Sequence, residues 1–133
     1  MSYLFDSDWV IDLLADVPEA VTLLDRLAAA GVSMSVVTYM EAYQGTIREA
    51  DPATAQATLE ILAAAMPIVP VTPAVARRCA FIRETLRLRQ KRVGPRALDL
   101  IIAATALEVE AILVTRNARD YRDIPELRLY QST

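Results

Sequence analysis

A single carboxylate interrupts the most apolar stretch of this chain. Over residues 97–107 the sequence is Ala, Leu, Ile and Thr except for Asp99. Leu, Ile and Ala on every face predict a helix buried nearly all round. An ionised carboxylate in such a place is costly unless a cation neutralises it or a donor bonds to it. Its position in the first turn offers partial compensation, because the helix dipole favours an anion there. The 133-residue chain contains no histidine, so the usual proton carrier of neutral pH is missing. Whatever Asp99 does must involve other carboxylates, a cation or the helix terminus.

Apolar runs and punctuation set the remaining elements. Strands are expected over 3–5, 32–35, 68–71 and 111–115, with a last short strand over 127–129. A helix capped by Ser7 or Asp8 runs to Leu14. Pro18, Pro52 and Pro73 each open a helix as its first residue, and Gly31 follows the end of the first of these. A helix over 38–48 carries Glu41 in its first turn, and the Asp99 helix ends near Glu108. Strands alternating with helices imply an α/β fold with a central, mostly parallel sheet, and the length suits a single domain over 1–133.

The net charge of −3 argues against a simple nucleic-acid binder, but its distribution is uneven. The segment 77–96 carries +7 and the remainder −10. Such asymmetry suggests a basic surface beside an acidic body. The one cysteine, Cys79, cannot close an internal disulfide, which fits a reducing cytoplasm. The first residues lack the basic start of a signal peptide, and prolines interrupt the longest uncharged stretch. A soluble cytoplasmic protein is expected, without a membrane partner.

Parallel sheets place ligand sites outside the carboxyl ends of their strands. Asp6 follows the first strand, Glu41 lies in the helix after the second, and Asn117 and Asp120 follow the fourth. With Asp99 they are candidates for one site. Carboxylates crowded together repel and raise one another's pKa, a conflict that a divalent cation removes. Oxygen ligands without His or Cys suit Mg²⁺, or Mn²⁺, and exclude a typical zinc site. A hard cation beside a basic surface points to phosphodiester chemistry. Histidine-based ribonuclease chemistry and a Ser-His-Asp triad are excluded, and no G-x-x-x-x-G-K loop is present.

Four segments, in order, resemble the motifs of PIN-domain nucleases. They are Tyr3-Leu4-Phe5-Asp6-Ser7-Asp8, then Ser35-Val36-Val37-Thr38-Tyr39-Met40-Glu41-Ala42-Tyr43-Gln44-Gly45, then Asp99-Leu100-Ile101-Ile102-Ala103-Ala104-Thr105-Ala106, then Leu113-Val114-Thr115-Arg116-Asn117-Ala118-Arg119-Asp120-Tyr121. Ser-Asp follows the first acid where the family usually has Thr-Asn, and Asn117 stands where it often has Asp. The subgroup most similar is the VapC-like toxins of toxin–antitoxin pairs. The resemblance implies a PIN-like three-layer α/β/α domain. It also implies a Mg²⁺-dependent endoribonuclease, often a homodimer, inhibited by a cognate antitoxin.

On this reading Asp6 and Asp99 hold Mg²⁺, Glu41 orients water or binds a second ion, and Asn117 and Asp120 complete the shell. Arg89, Lys91, Arg92, Arg96 and Arg116 are the candidates for guiding the RNA backbone. Two other classes are open to the sequence. Asp6-Ser7-Asp8-Trp9-Val10 also fits the D-x-D-x-[TV] start of haloacid-dehalogenase-like phosphatases, with Asp6 as nucleophile and Asp120 and Asp123 as a late acidic motif. The other is a non-catalytic RNA-binding or antitoxin-partner module.

Overall fold

The computed structural model describes residues 1–131. Four strands, β1 (Ser2–Phe5), β2 (Val32–Ser35), β3 (Ile68–Val69) and β4 (Ala111–Val114), form one sheet in the order β3-β2-β1-β4. Every pairing is parallel, with Phe5 beside Met34 on one side and Val114 on the other. Six α-helices connect them: α1 (Ser7–Leu14), α2 (Pro18–Leu27), α3 (Val36–Ile47), α4 (Pro52–Ala65), α5 (Pro73–Leu88) and α6 (Ala97–Glu108).

Side chains alternate across a strand, so neighbouring residues feed opposite faces. Leu4 and Leu113 enter a core with Val75, Cys79, Ile82 and Leu86 of α5 and with α6. Phe5, Met34 and Val114 enter a second core with Trp9 and Val10 of α1, Leu23 and Leu27 of α2, and Leu59 of α4. Two cores on one sheet make the three layers of the α/β/α arrangement. Caps match the prolines: Thr72 Oγ1 accepts from Val75 N at 3.2 Å and Asp51 Oδ1 from Thr54 N at 3.2 Å. Gly31, at φ 97°, makes the left-handed turn into β2.

Four expectations need correction. Asp6, rather than Ser7 or Asp8, caps α1, accepting from Ser7 N at 2.8 Å. α3 begins at Val36 because Ser35 caps it through Val37 N, which moves Glu41 out of the first turn. The 127–129 segment is not a strand; it meets β4 in a single bridge, Leu113 with Leu129. α6 is not buried all round: Leu98 is 42 % exposed and the buried run starts at Leu100. Among the described residues no helix is long and apolar enough to cross a membrane.

Candidate active site

The strand order determines where a site can open. The chain passes from β1 to β2 to β3 in one direction, then returns to place β4 on the other side of β1. Such a reversal leaves a crevice outside the carboxyl ends of the two strands that flank it. Asp6 ends β1 and Thr115 follows β4, and the two meet there. Asp6 N donates to Val114 O at 2.9 Å, and Thr115 Oγ1 donates to Asp6 Oδ2 at 2.7 Å. Asn117 N donates to Thr115 Oγ1 at 3.0 Å, which leaves the threonine proton for Asp6.

Asp6 is the most buried acid of the site, at 5 % exposure. Burial pushes its carboxyl above the usual range and Asp8 adds to this, while bonds from Thr115, Ser7 and Tyr121 pull it back. Asp99 sits half-buried in the first turn of α6. Burial raises its carboxyl as well, and repulsion from Asp6, Glu41 and Asp120 raises it further, against a hydrogen bond from Tyr121. Glu41 is tied to the same place through Ser7, whose Oγ donates to Glu41 Oε1 and lies 3.3 Å from Thr38 Oγ1. Three acids from β1, α3 and α6 therefore share one field at the β1/β4 edge.

No Lys or Arg among the described residues forms an ion pair with Asp6, Glu41 or Asp99. The donor set is oxygen alone, the chemistry of a hard divalent cation site, and Arg96, itself bound to Asp123, adds positive charge to the field at Asp99. Among the described residues no group of three or more acids or thiols is set closely enough to hold a metal by itself. The protein's own donors meet two of the acids: Ser7 N, Thr115 Oγ1 and Tyr121 OH engage Asp6, and Ser7 Oγ engages Glu41.

The family model described as the PIN domain matches residues 3–127. The chain belongs to the PIN domain family. No curated protein sequence matches it. Its fold matches a chain of VapBC2 from Rickettsia felis, solved bound to a DNA fragment from its promoter, at TM-score 0.86 and 23 % identity over 98 % of both chains. A chain of DNA-bound VapBC from Salmonella typhimurium matches at TM-score 0.86 and 24 % identity, over 98 % of this chain and 97 % of that one. A chain of VapBC-5 from Mycobacterium tuberculosis, a member of the VapBC family of toxin–antitoxin systems, is 27 % identical at TM-score 0.67, over 96 % and 98 %.

The remaining candidates of this PIN domain are placed differently from one another. Asn117 turns its amide to Asp8, donating from Nδ2 to Oδ2 at 3.0 Å. Asp120 is exposed and acts on Asp99 through its charge. Arg96 is held by Asp123, from Nη1 at 2.9 Å and Nη2 at 2.7 Å, and Nη2 also donates to Asp120 O. Arg116 lies 3.8 Å above the Trp9 ring and pairs with Asp12 at 2.6 Å. Arg89, Lys91 and Arg92 are exposed, form no ion pair among the described residues, and lead into the turn that starts α6. The basic segment is thus divided: Arg78 is neutralised by Glu108 at the other end of α6 from Asp99, and the 89–92 loop lies on the chain just ahead of Asp99.

Ser7, Thr38, Thr115 and Tyr121 belong to the site without having been singled out from the sequence. Thr115 directly follows Val114, which pairs with Phe5, and Ser7 lies two residues beyond Phe5, so the strand register is the signal that finds them. Tyr121 carries no such signal.

Proposed function

We propose that this PIN domain is a Mg²⁺-dependent endoribonuclease and the toxin of a VapBC-type pair. The observation that carries the reading is the shared electrostatic field of Asp6, Glu41 and Asp99 at the carboxyl end of β1, in a chain without histidine and with no ion pair to these acids among the described residues. Asp6 and Asp99 would hold the cation. When bound, the cation polarises the scissile phosphate and favours hydroxide at neutral pH. Glu41, held by Ser7, orients the attacking water. Thr115, whose lone pair is engaged by Asn117 N, keeps Asp6 turned into the crevice. Asn117 restrains Asp8, and Asp120 adds to the negative field at Asp99. Of the candidate cations, Arg89, Lys91 and Arg92 are free to meet an RNA backbone; Arg96 and Arg116 hold structure.

The likeness to chains of VapBC complexes supports a cognate antitoxin as partner. A homodimer and a cytoplasmic location belong to the same reading. The haloacid-dehalogenase alternative loses its late motif, because Asp123 is bound by Arg96 and Lys91 is on an exposed loop. The test is cleavage of RNA by wild type and Asp99→Asn with Mg²⁺ and with EDTA. The variant is expected to lose about 100-fold or more in rate, and EDTA to abolish cleavage. Undiminished cleavage in either case would sink the metal mechanism.

A further inference from the structure

Side chains cap the starts of α1, α3, α4 and α5, but among the described residues none caps α6. That helix is entered through a tight turn over Gly94–Arg96, with Arg96 at the capping position. From Leu100 onward α6 is fixed by the core, whereas Leu98 is exposed and Asp99 half-buried. The first turn needs another anchor, and Arg96 supplies it. Its guanidinium grips Asp123 from Nη1 and Nη2, and Nη2 also donates to Asp120 O at 2.7 Å. The pair is largely shielded, at 20 % and 28 % side-chain exposure, and Arg96 Nε is buried, so the head group faces the protein rather than solvent. A planar two-point grip restricts orientation as well as distance. The loop it grips is fixed at its other end to α1, through Arg116 with Asp12 and Asn117 with Asp8. Within the grip stands Tyr121, whose hydroxyl donates to Asp6 Oδ2 at 3.3 Å. One side chain thus ties the turn ahead of Asp99 to the loop that touches Asp6.

We propose that Arg96 is a positioning residue: by clamping Asp123 and Asp120 O it sets where the first turn of α6, and hence Asp99, stands across the crevice from Asp6. Asp123 shares the task as the anchor of the clamp. This inference rests on the reading of Asp6 and Asp99 as the paired acids of a metal-dependent site.

The test compares wild type with Arg96→Ala, Asp123→Ala, the double variant and Arg78→Ala, which breaks the pair with Glu108 at the far end of α6. RNA cleavage is measured with Mg²⁺ well below each melting temperature, and Mn²⁺ is titrated into the full chain by calorimetry. Arg96→Ala and Asp123→Ala are each expected to lose about 10- to 100-fold in kcat with KM held within about 2-fold. Each should also bind Mn²⁺ about 10-fold more weakly. The double variant should be no worse than either, because both changes remove the same clamp. Arg96→Lys, which keeps the charge in place without the fork, should share the loss in kcat. Arg78→Ala should leave kcat and Mn²⁺ affinity unchanged. A lower melting temperature with kcat and Mn²⁺ affinity intact marks a merely structural pair and overturns the inference. So does a raised KM at constant kcat, the mark of an RNA contact, and so does an equal loss in Arg78→Ala, the mark of a loosened helix. If wild type binds Mn²⁺ without cleaving, the calorimetric comparison alone decides. Wild type that neither binds Mn²⁺ nor cleaves overturns the metal-dependent reading itself, a result distinct from the others.

Discussion

Two costs meet at Asp99, partial burial and the nearness of other acids, and both oppose its ionised form. A carboxyl whose folded pKa is raised holds its proton more firmly in the native chain than in the unfolded one. Its contribution favours folding at low pH and is lost as pH rises through the folded pKa. In chelator, Asp99→Asn should therefore melt higher than wild type, with a gap that opens between about pH 4 and pH 7 and reaches about 2–5 °C. Differential scanning fluorimetry across that range checks this; a gap that narrows with rising pH contradicts it. The structure also redistributes the anomaly that the sequence places at Asp99. Asp6 is the more deeply buried acid, hidden from sequence reading because one residue after a short strand looks like an ordinary cap. It is in fact both, capping α1 with Oδ1 and facing the crevice with Oδ2. Ser7, Thr115 and Tyr121 were legible as letters of motifs but not as contacts, because each acts on a partner more than 30 residues away.

Among the elements, those opened by proline and a polar cap were the most legible, since both ends of the signal are local. Pro73 and Pro52 mark the starts of α5 and α4 to the residue, and the structure adds Thr72 and Asp51 as their caps. Thr72→Ala should cost about 1 kcal/mol, lowering the melting temperature by about 3 °C with RNA cleavage unchanged; thermal melts and a cleavage assay on one preparation check both. α3 was placed two residues late because Ser35 serves twice, ending β2 and capping the helix, and no loop separates the two. The shift matters to the site: Glu41 lies in the second turn, where Ser7 reaches it. The 127–129 segment reads as a strand because Leu alternates with polar residues there. It pairs with β4 at one point only, with Leu113 N donating to Arg128 O and Tyr130 N to Leu113 O.

For the whole molecule, the uneven charge becomes functional only through the fold. The segment that counts as +7 in the sequence spends Arg78, Arg87 and Arg96 on Glu108, Glu84 and Asp123. The 89–92 loop, which leads along the chain into α6, is left without an ion pair among the described residues, so RNA binding should be modestly salt-dependent. Replacing Arg89, Lys91 and Arg92 together by Ala should weaken binding and lower the slope of log K against log salt by about 2. Fluorescence-anisotropy titrations of a single-stranded RNA at several salt concentrations, using the Asp99→Asn protein to prevent cleavage, measure that slope. An unchanged slope removes the loop from the interface.

The hydrogen bond between Thr115 and Asp6 joins positions 109 residues apart. Closing so long a span costs entropy that only the completed β1/β4 pairing returns. A ribosome making this chain must release β4 and Thr115 before the crevice can exist. The site therefore stays unformed until residues 111–115 have emerged, and a chain terminated ahead of Ala111 would never acquire a working crevice.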